Sequence, residues 1–328
     1  MLERYPAHLR PSGLIEALGN AGGFSGSQFW RFQSQAGRLG VRRWPDRGPT
    51  RERIERVHRW LQDAADLGFI PVPFAGLDGR TVQDVDGKFW ELVPWLPGRP
   101  DDSKPPPVER VRPAFAALAR FHQRLSGHAT LGVSPAVGSR LAEVERLAGG
   151  GLATLRALTD TGPADAIARL ARRWADVAAG CLGPVRTMLN RARSVTTRCQ
   201  PCLRDARPGH FLFEENRVSG LVDFGAMDRE SVAADLARLA ADWLDNDPIL
   251  RLEAFQSYEA VRPIDLNDDR LIRVLERSAD LLTGGQWAAW HYVDRRAFED
   301  PTAVVSGLTR GVERVESLAA RVRAGGLD

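Results

Sequence analysis

Apolar and polar residues change rhythm about a third of the way along the 328-residue chain. Before that point the rhythm is mostly two-fold. Residues 27–32 and 38–44 alternate in the manner of half-buried strands, with Gln35-Ala36-Gly37 as a turn between them. One helical stretch breaks in: Ile54, Val57, Trp60, Leu61 and Ala64 recur at three- and four-residue spacing. Thr50 is its expected N-cap, the helix runs from 51 to about 66, and Gly68 ends it. The run "TVQDVDGKFWELVPWL" then predicts a hairpin, because Asp86-Gly87 is a two-residue turn signal between alternating segments.

Residues 97–107, PGRPDDSKPPP, have the composition of a connection between lobes. Beyond them the spacing is helical over 108–125, 138–147, 151–158 and 164–179, and again from 231 onward apart from loops near Pro248, Pro263 and Pro301. One clear β signal interrupts this half. Residues 211–214 and 218–222 form an expected hairpin around Glu215-Asn216. The expected fold is therefore α+β: an N-lobe over 1–97, β-rich with one long helix, and a mainly helical C-lobe over 98–328.

Composition narrows the function classes. Hydrophobic residues make up 43% and charged residues 27%, which suits a globular chain with a sizeable core. A net charge of +3 is far from the basic stripe of a nucleic-acid binder, so none is expected as a partner. There is no apolar run of about 18 residues to cross a membrane. The first residues, MLERYPAHLRPSG, lack the apolar core of a secretion signal. Cys181, Cys199 and Cys202 are too few for a disulfide framework, and Cys199-x-x-Cys202 lacks a thioredoxin-like setting. These points lead to the expectation of a cytoplasmic protein. Lys88 and Lys104 are the only lysines, so nearly all positive charge is arginine.

The candidate chemistry sits around the second hairpin. Asp205 precedes a stretch that Pro208 and Gly209 keep irregular, His210 follows, and the returning strand ends at Asp223. A hairpin brings its ends together, so Asp205, His210 and Asp223 are expected to converge. Neighbouring carboxylates repel unless a cation sits between them. A hard divalent ion would satisfy them and hold phosphate oxygens, while one carboxylate accepts a proton from an attacking hydroxyl. The order matches the phosphotransfer pattern R-D-x-x-x-x-N followed by D-F-G: Arg204-Asp205, four residues, His210 in the asparagine position, then Asp223-Phe224-Gly225.

With "LRDARPGH", "LVDFG" and "ADLARL", the chain resembles the aminoglycoside phosphotransferase and choline kinase family, small-molecule kinases of bilobal, protein-kinase-like fold. "GVRRWP" and "FWELVPWLPG" resemble an uncharacterised bacterial branch of it. The resemblance implies ATP and magnesium, with manganese as an alternative, and a small molecule bearing a hydroxyl as acceptor. It implies that Asp205, beside Arg204, is the catalytic base or orients the acceptor hydroxyl, and that Asp223 holds the metal with His210 as second ligand. Asp235 would be structural. Backbone groups of a hinge over residues 92–95, Leu92 and Val93 included, would bind the adenine edge.

Three features depart from the family pattern. His210 could bind the ion directly, hold a metal-bound water, or hydrogen-bond Asp205; an imidazole nitrogen is softer than an amide oxygen and leans toward manganese. The strand lysine that grips the α- and β-phosphates is missing. Arg42 stands in its place, with Arg43 as the alternative register and Glu52 or Glu55 as the expected partner from the helix. The loop GNAGGFSGS, residues 19–27, is rich in glycine without G-x-G-x-x-G spacing; Gly22, Gly23 and Ser25 are its expected nucleotide contacts, and Ser27 could also donate to phosphate. His122 reads as a buried helix residue with a hydrogen bond. The expected activity is ATP-dependent phosphoryl transfer to a small-molecule hydroxyl; the alternative is a kinase-like protein that binds nucleotide without catalysis.

Overall fold

The structure, a computed structural model, describes residues 1–20, 26–101, 103–161, 165–244, 247–296, 298, 300 and 302–327. Gly22, Gly23 and Ser25 lie outside these residues. The first half contains β1 (Ile15–Gly19), β2 (Gln28–Ser34), β3 (Gly37–Arg43), α1 (Arg51–Asp63), β4 (Gln83–Val85), β5 (Lys88–Pro94), β6 (Arg99–Pro100) and α2 (Val108–Arg124). There follow β7 (Thr130–Val133), α3 (Pro135–Arg146), α4 (Leu152–Thr161), α5 (Ala166–Ala192), β8 (Thr196–Cys202), β9 (Phe211–Glu214) and β10 (Arg217–Leu221). The chain continues through β11 (Asp228–Ser231), α6 (Val232–Trp243), α7 (Pro248–Glu259), α8 (Leu266–Tyr292) and α9 (Thr302–Arg323). This is an α+β fold with an antiparallel-sheet N-lobe and a helical C-lobe.

The chain divides into two compact units. The first comprises Met1–Ala129, Gln200–Asp228 and Leu239–Pro263. Its five-stranded sheet has the order β1-β2-β3-β5-β4, with every neighbour antiparallel. Asp86 (φ 54°) and Gly87 (φ 73°) both take the left-handed conformation, so the β4–β5 turn is the tight hairpin the Asp-Gly pair predicts. Alternation along β3 separates its side chains. Leu39 and Val41 join Phe32 and Leu92 in a core that Tyr5 and Leu9 cover from the N-terminal turns. Arg42 and Trp44 face a cavity on the other side of the sheet.

Helix α1 begins where the Thr50 side chain accepts from the Arg53 N–H, and it buries Ile54, Val57, His58, Trp60 and Leu61. Gly68, at φ 74°, closes the short turn after it. A second sheet, β10-β9-β6, carries the hairpin that the spacing predicts. Gly98 enters this sheet at φ 96°, and a Cβ there would meet the Ser219 hydroxyl and stand 2.8 Å from the Phe213 carbonyl oxygen. Gly98→Ala is therefore expected to lower stability by about 1–3 kcal/mol from the backbone conformation alone. Thermal unfolding checks this; an unchanged Tm would contradict it.

The second unit comprises Thr130–Cys199, Arg229–Arg238 and Ile264–Asp328. In it α5, α8 and α9 pack on one another. Trp174 of α5 is fully buried and donates from Nε1 to the Leu281 carbonyl at 3.0 Å. Two features correct the sequence expectation. The hairpin is not the only β structure after residue 98, because β11-β8-β7 form a three-stranded sheet and β6 extends the hairpin sheet. Strand β8 reads TTRCQPC, without the β-branched apolar alternation that marks a strand, and its pattern of buried positions is set by the sheet around it. Helix α5 also runs on to Ala192 instead of ending near 179; its buried stripe through Ala178, Cys181, Val185 and Leu189 carries it past Pro184. Among the described residues, no helix is long and apolar enough to cross a membrane.

Candidate active site

The hairpin does what its spacing predicts for His210 and Asp223. β9 and β10 pair in antiparallel register, and the N–H of Val222 donates to the carbonyl of His210 at 2.9 Å. This leaves His210 Nε2 3.6 Å from Asp223 Oδ2. Asp223 adopts φ 61° and its carboxylate accepts from the Gly225 N–H at 3.4 Å, a turn in which aspartate tolerates the left-handed conformation. Arg204 is also left-handed, at φ 66°, immediately before Asp205. Two such residues flanking one hairpin are the kind of backbone strain that gathers at functional sites.

Asp205 is not on the cavity wall, and its Oδ1 accepts from Arg207 Nε at 2.9 Å. Sequence reasoning passed over Arg207. The signal was its position two residues after the candidate base, where a cation meets a carboxylate at short range.

Asp223 and His210 open onto a cavity of about 470 Å³. Phe29, Trp44, Val57, Leu61, Val93 and Trp95 give it an apolar wall. Among its polar groups, Arg42 and Glu91 come from the five-stranded sheet, His58 from α1, and His210 and Asp223 from the turns flanking the β9–β10 hairpin. An apolar slot with a few placed polar groups is the ordinary form of a small-molecule site. Val93 contributes its side chain to the wall. Leu92 points to the opposite core, and its carbonyl accepts from the Phe74 N–H at 2.8 Å.

The register question at β3 resolves in favour of Arg42. Arg42 lines the cavity, whereas the Arg43 guanidinium sits over the Trp90 ring at 6.0 Å. The expected helix partner needs correction. Glu52 is turned to its own helix start: hydrogen bonds from its backbone N–H and Thr50 hold its carboxyl below the ordinary range. The carboxylate beside Arg42 is neither Glu52 nor Glu55 but Glu91 of β5, with Arg42 Nη1 3.9 Å from Oε1. The cause is sheet register, since Phe29, Arg42 and Glu91 lie directly opposite one another across β2, β3 and β5. Arg42 stacks on Trp44 at 3.7 Å and donates from Nε to the Ser27 hydroxyl at 3.1 Å. Ser27 is buried in that contact.

Glu91 is itself tightly held. His58 Nε2 lies 2.8 Å from its Oε2, and Trp44 Nε1 donates to the same oxygen at 3.0 Å. Burial pushes the Glu91 carboxyl up; the hydrogen bond from His58, then the fields of His58 and Arg42, outweigh it and leave the carboxyl below its usual range. Both members were legible in part. Glu91 lies between apolar Phe89 and Val93 at two-residue spacing, and His58 falls four residues after Ile54 on the buried stripe.

Helix α1 also reaches the loop after Asp223. Arg53 Nε and Arg56 Nη2 lie 3.8 and 3.6 Å from the Asp228 carboxylate. Close by, a Cβ on Gly225 would stand 2.9 Å from Arg42 Nη2. Gly225→Ala should therefore push the Arg42 guanidinium away and raise KM for nucleotide on the order of 10-fold without unfolding the chain. Steady-state kinetics and a thermal melt check this together, and an unchanged KM would contradict it.

The donor set fits a hard divalent ion with one softer ligand. The Asp223 carboxylate supplies oxygen, and His210 Nε2 is near enough to share the same ion. His122 is fully buried on α2, its Nδ1 2.8 Å from the Tyr258 hydroxyl, as an ordinary buried histidine would be. Cys181, Cys199 and Cys202 are buried, and among the described residues none of them forms a disulfide. Asp235 is fully buried in the first turn of α6.

Sheet, hairpin and cavity together define a protein of the small-molecule kinase fold. The sequence matches the phosphotransferase enzyme family over residues 16–270, and the chain belongs to that family. No curated protein matches the sequence. Among solved structures, an aminoglycoside phosphotransferase from Alicyclobacillus acidocaldarius is 16% identical, with a TM-score of 0.66 over 98% of this chain and 94% of that one. A microcompartment-associated aminopropanol kinase is 15% identical, with a TM-score of 0.62 over 100% of this chain and 97% of that one. An amicoumacin kinase in complex with AMP-PNP and Ca2+ is 13% identical, with a TM-score of 0.60 over 89% and 85%. Family membership supports small-molecule phosphotransferase activity.

Proposed function

We propose that this protein moves the γ-phosphate of ATP to a hydroxyl of a small molecule. The observation that carries the reading is the meeting of Arg42, His210 and Asp223 on one apolar-walled cavity. In this reading residues 1–97 hold the nucleotide, and residues 98–328 supply the catalytic loop and the acceptor site. The aromatic and aliphatic wall takes the adenine, with backbone groups of Val93 near its edge. Gly22, Gly23 and Ser25 belong to the loop expected to cover the phosphates.

Arg42 takes the place of a strand lysine. Its planar fork, stacked on Trp44, is held ready to pair with phosphate oxygens. Asp223 and His210 would hold magnesium, or manganese in its place, and that ion when bound neutralises phosphate charge. Asp205 orients the acceptor hydroxyl and takes its proton, once the acceptor displaces or turns the Arg207 side chain. Arg204, strained beside it, fixes the direction of the loop. Such a site works mostly by positioning and charge neutralisation, which is why so few residue types suffice. The aminopropanol kinase and aminoglycoside phosphotransferase neighbours make amino alcohols and amino sugars the first acceptors to try.

The test is metal-dependent release of ADP, with magnesium and with manganese, across a panel of such acceptors. Acceptor-stimulated release supports the reading. Nucleotide binding with no release under any acceptor would favour a kinase-like binding protein instead.

A further inference from the structure

We propose that His58 is a positioning residue that couples helix α1 to the phosphate-holding Arg42 through the carboxylate of Glu91. The inference rests on the proposed nucleotide site, and it concerns a residue outside the sequence motifs that identify that site.

The argument begins with Glu91. It is a buried acid on a central strand, and a buried charge is costly unless hydrogen-bonded and paired. Arg42 alone does not satisfy it, because 3.9 Å between Nη1 and Oε1 is an ion-pair distance and not a hydrogen bond. The direct hydrogen bonds come from Trp44 Nε1 at 3.0 Å and from His58 Nε2 at 2.8 Å, both to Oε2. An ionised carboxylate only accepts, so Nε2 carries the proton in this contact. The other ring nitrogen, Nδ1, lies 2.8 Å from the Thr81 hydroxyl. Both edges of the imidazole are thus fixed, and the ring is only 3% exposed.

The consequence is geometric. His58 belongs to α1, Glu91 to β5, and Arg42 and Trp44 to β3 and its end. Trp44 donates to Glu91 and also forms the face on which Arg42 stacks at 3.7 Å. Moving α1 moves His58, which moves the Glu91 carboxylate and the indole it shares, and these set where the Arg42 fork points. The opposite end of the same guanidinium lies against Gly225, beside Asp223. Helix α1 holds the Arg42 side of the site by a histidine and a carboxylate borrowed from the sheet. It holds the loop after Asp223 by Arg53 and Arg56 on Asp228.

Two amides separate the two edges of the ring. Gln at 58 can place its amide N–H where Nε2 stood and keep the bond to Glu91. Asn reaches only the Nδ1 position, so it keeps Thr81 and loses Glu91. The measurement is the Kd for ADP with magnesium, by calorimetry, on wild type, His58→Asn, His58→Gln, Arg42→Met and the double variant His58→Asn/Arg42→Met, each checked for folding by thermal melt. His58→Asn is expected to weaken ADP binding about tenfold and His58→Gln to restore it to within about threefold of wild type. In the Arg42→Met background His58→Asn should cost less than about twofold, since its effect runs through Arg42. A purely structural role would lower Tm while leaving the Kd of the folded protein unmoved. If wild type binds ADP and either His58→Asn leaves Kd unchanged or its effect persists undiminished without Arg42, the coupling is overturned while the site reading stands. If wild type binds no nucleotide, both fall together.

Discussion

Asp205→Asn is expected to reduce kcat by on the order of 10²–10⁴-fold, the range a positioned general base contributes, while leaving KM for ATP within about threefold. The substitution keeps the size and one oxygen of the side chain but removes the charge that accepts the hydroxyl proton. Nucleotide binding should survive, because Asp205 stands off the cavity wall that Arg42, His210 and Asp223 line. The partly exposed ion pair with Arg207, lost with the charge, contributes only about 0–1 kcal/mol to stability. Steady-state ADP release with the best acceptor is the measurement. Wild-type turnover in this variant would remove Asp205 from the mechanism.

Asp223→Asn should fail differently. It removes the carboxylate placed 3.6 Å from His210 Nε2, so metal-dependent nucleotide binding and transfer should fall together, with kcat/KM down about 10²-fold or more. Asparagine is the right replacement because it tolerates the left-handed φ of 61° and can keep the turn to Gly225. The fold should therefore remain intact, and the loss can be read as lost ligation. Titrating ADP binding against magnesium and manganese checks it. The variant should need far more of either ion, and an unchanged metal dependence would exclude Asp223 as a ligand.

The contrast between these two variants follows from what the sequence made visible. The pairing of His210 with Asp223 was legible because a hairpin brings its two ends together. The Asp86-Gly87 turn and the buried stripe of α1 were legible for the same reason: each is a local rule expressed by adjacent residues. The partner of Arg42 was not. Arg42 and Glu91 are directly opposite only through the β3–β5 register, and α1 faces them with an imidazole instead of a carboxylate. Strand β8 was hidden because polar, cysteine and proline side chains fill its buried positions, the last four of them consecutive. The Arg207–Asp205 contact lay within two residues and was available in principle; attention to the aspartates alone missed it.

Transfer of label from γ-labelled ATP to an amino alcohol or amino sugar tests the account most directly, run on wild type and Asp205→Asn with magnesium and with manganese. The account predicts a phosphate ester of the acceptor that forms only with metal and all but disappears in the variant. Wild-type protein that binds labelled ATP yet forms no ester with any acceptor, or an Asp205→Asn variant that forms it as fast, would contradict it.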